Sequence, residues 1–138
     1  MSATFVKFQD FVEQLGKGLH HLQAAGDTLN VYLTNTAPNV ATHVKKADLA
    51  GITEQFGYAA ADATNDYTEA AGVGTLTCVD VTWTAAGGNF GPFRYVVLYN
   101  DTNANDALVA YWDYGSSITV NNGETFTVDF GASVLTIT

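Results

Sequence analysis

The sequence has few of the residues that usually cross-link or charge a small protein. Its 138 residues include one cysteine, Cys78, two prolines, and five lysine and arginine residues against 14 aspartate and glutamate residues. A single cysteine excludes an internal disulfide, so we expect synthesis and folding in a cytoplasm. No apolar run approaches the ~20 residues that cross a bilayer. The first ten residues also lack the basic and apolar regions of a secretory signal, and none is predicted.

Positive charge is both scarce and unevenly placed. All four lysines lie in the first 46 residues, whereas residues 47–138 carry 11 acidic residues against Arg94 alone, a net charge of −10. Because one cation cannot neutralise several phosphates, nucleic-acid binding is disfavoured. Docking on anionic lipid is disfavoured for the same reason. We therefore expect neither a nucleic acid nor a membrane as a partner.

Short alternating segments make up most of the chain after residue 74. They are rich in β-branched and aromatic residues and are separated by Gly, Asn, Asp or Ser, which is typical of antiparallel strands. The predicted strands are 29–34, 75–84, 93–99, 108–114, 117–120, 125–130 and 134–138. The strand at 93–99 is apolar on both faces and is predicted to be central. The sequence 121–124, Asn-Asn-Gly-Glu, predicts a hairpin turn.

The N-terminal segment 1–26 shows helical spacing instead. Phe5, Phe8, Val12, Leu15, Leu19 and Leu22 recur at intervals of three and four residues, which predicts one apolar stripe over residues 4–22. Glycines at 16 and 18 mark places where the helix frays or ends, and Gly26-Asp27 is a stop signal. The stripe fits two roles, a helix that covers the sandwich or an arm used in assembly.

These patterns together predict one domain over residues 1–138. The fold class is mainly β, an antiparallel β-sandwich or jelly roll with one N-terminal helix. Residues 40–74 show no clear period and are predicted to be an irregular, arm-like excursion over the surface.

Two polar motifs suggest metal binding but fit simpler roles better. Adjacent residues such as His20 and His21 point about 100° apart on a helix and cannot close on one ion alone, so we expect solvated histidines. The segment 101–106 spaces its oxygens like a calcium loop, but it has Asp106 where that loop needs glycine and Trp112 where it needs a bidentate acid. A polar hairpin loop is favoured, and we predict no metal site and no cofactor.

Catalytic readings are also weak. Cys78 lies in a strand without a nearby cation, which favours a buried small hydrophobic residue over a nucleophile. Asp80 and Asp113 could form a glycosidase pair, although solvent-facing carboxylates are common in strands. We therefore predict no catalytic residues and no enzyme.

A set of aromatic residues leaves two interpretations open. It could form a platform that binds carbohydrate or protein, or it could supply the sandwich core and cross-strand pairs, which is the favoured interpretation. The set consists of Phe93, Tyr95, Tyr99, Tyr111, Trp112 and Tyr114.

Three segments carry a family resemblance. They are the amphipathic start at 8–20, the strand and turn at 29–38, and the run 91–101 followed by Trp-Asp-Tyr-Gly-Ser at 112–116 and Gly-Glu-Thr-Phe-Thr-Val-Asp-Phe at 123–130. Together they resemble a family of small virion structural proteins of tailed bacteriophages. The resemblance implies a capsid decoration (cement) protein that binds the major capsid protein, as a dimer or trimer, on the head surface.

No catalytic motif comes with this resemblance. It implies synthesis in the cytoplasm of a bacterial host and a non-enzymatic role in stabilising the head shell. The N-terminal segment, which is the part that is not strongly negative, is expected to contact the capsid or sister subunits. The alternative is a tail or fibre component that binds a host receptor or glycan through an exposed tip formed by Tyr99, Tyr111, Trp112 and loop 101–106.

Overall fold

The computed structural model describes residues 3–138, which form three antiparallel sheets and one helix. The expected class, a mainly β, sandwich-like fold with one helix near the N-terminus, is confirmed. The elements in chain order are β1 Val6–Lys7, α1 Gln9–Gly16, β2 Leu29–Thr34, β3 Ala61–Asp62, β4 Asp66–Ala70, β5 Val73–Thr77, β6 Val81–Thr84, β7 Phe90–Asn100, β8 Leu108–Val120, β9 Thr125–Val128 and β10 Leu135–Ile137.

The largest sheet has five strands in the order β1-β8-β7-β2-β3, with β7 at its centre as predicted. A three-stranded sheet (β10-β5-β4) and a two-stranded sheet (β6-β9) form the opposing layer. Alternate residues of β2 and β7, including Leu33 and Leu98, point into the sandwich core between the layers, where they meet Leu76 and Trp83. We call this side of the five-stranded sheet its core face.

The other side, the outer face, is covered as well. Its buried cluster consists of Phe8, Tyr32, Leu49, Val97, Tyr99 and Leu108. Residues 40–49 lie over this face, where Val40 and Leu49 pack with the cluster, and they are held by hydrogen bonds from the Tyr32 hydroxyl to Leu49 O (2.6 Å) and from Leu108 N to Val44 O (3.0 Å). The sheet is therefore buried on both sides, which explains why residues 96–99 of β7 are apolar on both faces.

The segment 40–74 was expected to be an irregular excursion, and this is wrong for its second half. It contains β3, β4 and the start of β5, and only residues 40–60 are irregular, with one short 3₁₀ turn at Lys46–Asp48. The strand β4 is Asp-Tyr-Thr-Glu-Ala, with a half-exposed or exposed side chain at every position. An edge strand of this kind has no apolar alternation, so its sequence carries no periodic signal.

The helix is shorter than predicted. Residues 6–7 form β1, and the helix runs only over Gln9–Gly16, ending at the first of the two glycines rather than at Gly26-Asp27. The stripe is split: Phe8 is fully buried on the outer face, while Val12 and Leu19 are exposed. Phe11, outside the predicted stripe, is buried in the sandwich core. Within the described residues, the N-terminal segment thus covers the sandwich; residues 1–2 of the predicted segment lie outside them.

Two other strand predictions need correction. Residues 75–84 form two strands in different sheets, because the buried positions shift from even numbers (Leu76, Cys78) to odd numbers (Val81, Trp83) across an exposed Val79. Residues 121–124 form a turn, with Glu124 N bonded to Asn121 O at 2.8 Å, but it is not a hairpin. The strand before the turn, β8, does not pair with the strand after it, β9, because β9 pairs with β6.

The strand β8 runs unbroken from Leu108 to Val120, although the sequence predicted two segments. It is irregular at the predicted gap. Between the pairs Phe93–Ile118 and Tyr95–Asp113, five steps along β8 match two steps along β7, so β8 carries a large bulge. Gly115, with φ of 101°, lies within it, where a side chain would be strained.

Candidate functional site

A half-open groove lies where the two layers of the sandwich part, beside β8 and β9. Its volume is about 610 Å³, which falls within the range of ligand-binding clefts. We call it the aromatic groove, and its rings are those of Phe5, Trp112, Tyr114, Phe126 and Phe130.

The strand geometry positions these rings. Trp112 and Tyr114 are alternate residues of β8 and therefore share its core face, while Phe126 comes from β9 and Phe130 follows it. Trp112 contacts Phe5 and Phe130 edge to face, with centroids 5.8 and 5.6 Å apart, and Tyr114 contacts Phe126 in a tilted arrangement at 5.8 Å. Such contacts fix the ring orientations, so the wall of the groove is preformed.

The charge near the groove is negative. Among the described residues that line the groove, Asp129 is the one that carries a charge. Asp113 lies between Trp112 and Tyr114 in the strand and so points to the opposite face, where Arg94 donates to both carboxylate oxygens at 2.8 and 3.0 Å. These hydrogen bonds from Arg94 lower the pKa of Asp113. The single cation after residue 46 is therefore already paired.

The proposed glycosidase pair of Asp80 and Asp113 is not assembled. Asp80 accepts the backbone N–H of Phe130 at 3.0 Å, in the layer that carries β5 and β6. Asp113 is paired with Arg94 on the far side of β8. Each carboxylate is committed to a local structural role, and the two do not converge on a shared space.

The predicted aromatic set is divided between the two faces of the sheet. Phe93, Trp112 and Tyr114 lie on the core face, whereas Tyr95, Tyr99 and Tyr111 lie on the outer face. Tyr99 is buried, with 3% of its surface exposed. The tip expected for a receptor-binding protein therefore does not form as one surface, because neighbours in a strand such as Tyr111 and Trp112 point in opposite directions.

Sequence reasoning missed the other half of the aromatic groove. Phe126 and Phe130 were placed only in the predicted strand 125–130, and Phe5 was assigned to the helical stripe. The alternation of Phe126, Val128 and Phe130 was a correct signal for one wall. That this wall would face Trp112 depends on pairing between distant strands, which a local pattern does not encode.

A buried polar cluster links the N-terminal segment to the ends of β2 and β7. The Asn100 side-chain amide donates to His20 Nδ1 at 2.9 Å and to Asp27 Oδ2 at 2.6 Å. The Asn65 amide donates to the carbonyls of Leu22 and Asp27 at 2.8 and 3.0 Å. These hydrogen bonds hold residues 20–27 against the sheet, and we call the cluster the latch.

The expectation of solvated histidines is wrong for His20, which is 5% exposed and lies against the ring of Phe11. Burial lowers the pKa of His20, although the Asp27 carboxylate opposes this change. Burial alone would raise the pKa of Asp27, but hydrogen bonds from Asn100 and from the backbone of His21 bring it below its usual value. His21 itself is largely exposed and lies 3.5 Å from Asp27.

The polar loop 101–106 uses its oxygens to bind its own backbone. Asn100 Oδ1 accepts the N–H groups of Thr102 and Asn103 at 3.0 and 3.1 Å, and Asn103 Oδ1 accepts that of Asn105 at 2.9 Å. These are turn-stabilising contacts. Within residues 3–138, no group of three His, Cys, Asp or Glu side chains is placed to share a metal ion.

Cys78 is a buried residue, as predicted, with 9% of its surface exposed. Burial raises the pKa of its thiol to about 12, and the nearby Asp62 carboxylate adds to the effect. A thiol of this kind is almost entirely protonated at neutral pH and is a poor nucleophile.

Comparison with known proteins gives no relative from which a role could be transferred: no family model, no curated protein and no solved structure matches this chain. In the part of the chain from residue 3 onward, none of the helices has the length and apolar character needed to traverse a membrane. The aromatic groove and the distribution of charge are therefore the features on which a functional proposal rests.

Proposed function

We propose that this chain is a non-enzymatic structural protein of a bacteriophage virion, a capsid decoration protein that stabilises the head shell. The observation that carries the proposal is the aromatic groove, an open and preformed surface lined by aromatic rings and polar residues. The resemblance of the sequence to small phage virion proteins supplies the biological setting. The partner is the major capsid protein, and the site of action is the outer surface of the head.

The charge of the molecule supports a role at a protein surface. Residues 47–138 carry a net charge of −10, and their one cation, Arg94, is bound to Asp113. Such a body is attracted to a basic protein patch and repelled by polyanions. It also stays soluble at the high concentration that a repetitive shell requires before assembly.

The packing of the N-terminal segment bears on which part of the chain would attach to the capsid. Phe8 and Phe11 are buried in two different clusters, so residues 5–22 are part of the folded body. An arm that releases from the sandwich would have to expose both rings. We therefore propose that attachment uses the folded surface, with the protein acting as a dimer or trimer over repeated sites, where avidity multiplies a modest affinity.

Copy number in purified virions tests the proposal. Particles from an infected host culture are banded by density, and the protein is quantified by mass spectrometry against a labelled standard. A decoration protein is present at on the order of hundreds of copies per particle, because it follows the symmetry of the shell. About a dozen copies or fewer would indicate a tail position, and absence from the particle would refute a virion role.

A tail or fibre component that binds a glycan is a second candidate, favoured by one observation. Trp112 and Tyr114 are half-buried in the open groove, which Asp129 also lines, and sugars bind to such combinations of ring and polar group. A glycan array tests this candidate. Binding that is lost in Trp112→Ala and retained in Tyr95→Ala, which removes a half-buried ring from the outer face, would support it.

A further inference from the structure

The strand β9 has one free edge, and this edge faces the aromatic groove. Among residues 3–138, β9 pairs with β6 alone. The groove is lined by every residue from Thr125 to Gly131. Side chains alternate between the faces of a strand, so a groove that touches consecutive residues must run along the strand's edge. Backbone N–H and C=O groups of β9 therefore border the groove.

The opposite wall has a different character. From β8 only the alternate residues Trp112 and Tyr114 line the groove, so here it meets the face of a strand rather than an edge. Phe5 closes the same wall and packs against Trp112. A chain lying along β9 would thus place every second side chain against aromatic rings and the others toward solvent.

The chemistry of the occupant follows from the charges. Asp129 is the charged residue among the described residues of the groove lining, and the surrounding body is strongly acidic. A basic segment is attracted there, whereas a second copy of this chain, with a formal charge of −9, is repelled.

We propose that β9 accepts an extended segment of the capsid subunit as an added strand, with apolar residues alternating with lysine or arginine. Main-chain hydrogen bonds to β9 supply affinity, and the rings of Trp112, Tyr114 and Phe5 select the alternate apolar side chains. The inference rests on the proposed function only for the source of this segment. The free edge and the groove are properties of the chain itself.

A model peptide tests the site directly. The probe is a capped heptapeptide that alternates lysine with valine, added to ¹⁵N-labelled protein. The chain contains two tryptophans, whose indole N–H signals serve as reporter and reference. Trp112 lines the groove, whereas Trp83 is 5% exposed and donates its indole N–H to Ala59 O at 2.7 Å. We expect the Trp112 signal to shift with peptide concentration and the Trp83 signal to stay in place.

Control peptides separate the two parts of the proposal. Replacing the central valine by proline removes a backbone N–H, and we expect the affinity to fall by at least about threefold. Replacing the lysines by glutamate should abolish the shift. In the protein, Asp129→Asn should weaken binding by about two- to fivefold, as expected for one exposed ion pair.

A matched pair of variants controls for folding. Tyr114→Ala removes a half-buried ring from the groove, and Tyr95→Ala removes a half-buried ring from the outer face of the same sheet. We expect the first to lose at least about tenfold in affinity and the second to bind like the unmodified protein. Both are checked for cooperative unfolding by circular dichroism, and the Asp129→Asn variant provides an independent reading if Tyr114→Ala fails to fold.

The outcomes that overturn the proposal are distinct. The Trp112 signal could stay fixed at millimolar peptide, the glutamate peptide could bind as well as the lysine peptide, or the proline peptide could bind unchanged. A shift of the Trp112 signal caused by chitohexaose but by none of the peptides would make the groove a glycan site. The test is separate from that of the proposed function: peptide binding by a protein absent from virions refutes only the virion role, and a virion protein that binds no peptide refutes only the strand addition.

Discussion

Replacing Phe8 by alanine tests whether the N-terminal segment belongs to the fold. Phe8 is fully buried in the outer-face cluster beside Val97 and Leu108, and its backbone N–H donates to Val109 O at 3.1 Å. Removing a buried phenylalanine ring costs about 3–5 kcal/mol, because contacts are lost and a cavity remains. A domain of this size has a free energy of unfolding of about 7–20 kcal/mol. We therefore expect Phe8→Ala to fold with greatly reduced stability.

The loss is measurable as a shift in melting temperature. For about 140 residues, 1 kcal/mol corresponds to a shift of about 3–5 °C, so Phe8→Ala should melt about 10–20 °C lower in a circular dichroism scan. Val12→Ala is the matched control, since Val12 lies on the same segment with 54% of its surface exposed. An exposed substitution of this kind changes stability by about 0.5 kcal/mol or less. Equal melting temperatures for the two variants would contradict the packing of the segment and support a detachable arm.

Three further predictions concern the buried polar cluster and the thiol. Burial lowers the pKa of His20 from 6.5, so the unfolded chain binds the proton more readily than the folded chain, and the free energy of unfolding should fall as the pH drops below about 6.5. Denaturant titrations at several pH values should show a shallower decline for His20→Gln than for the parent protein. Parallel curves for the two proteins would refute this. Asn100→Ala removes one of the hydrogen bonds to the Asp27 carboxylate, the bond to His20 Nδ1 and the acceptor of two backbone N–H groups, and should lower the free energy of unfolding by about 3 kcal/mol or more. A melting temperature within about 3 °C of the parent would show that the latch is dispensable. The thiol of Cys78 has a pKa of about 12 in the folded protein, so at pH 8 it should react with Ellman's reagent at least about 100-fold more slowly than the same thiol in protein unfolded by guanidinium chloride. Similar rates for the folded and unfolded protein would place the thiol at the surface.

The parts of the fold that local alternation could predict were predicted well. The strand Leu29–Thr34 begins and ends where the pattern indicated, since its alternate apolar residues are followed by a polar turn that contains Pro38. The central position of β7 followed from the apolar residues on both of its faces. The helix was predicted to be too long, although it ends at Gly16, one of the two glycines at which fraying or termination was expected.

The failures share a cause, which is pairing between residues far apart in the chain. His20 is buried because Asn100, 80 positions later, supplies its hydrogen bond. The break near Val79 occurs because the chain leaves one sheet for another, and no residue type marks that change. The aromatic groove needs Trp112 opposite Phe130, and its open edge depends on the order of strands within the sheets. Strand order is set by global packing, so a single sequence read by period does not contain it.

The covering of the outer face by residues 40–49 has a consequence for how copies of this protein could associate. An uncovered sheet face is broad, flat and apolar, and permanent dimers bury surfaces of this kind. Here that plane is already occupied by the chain itself, through anchors such as Leu49 over Tyr32. In the proposed assembly, copies of the chain would therefore meet through the edges of the sandwich, in small and hydrated contacts that separate easily. The proposed decoration layer would then be held in place by the capsid beneath it rather than by contacts between its own subunits.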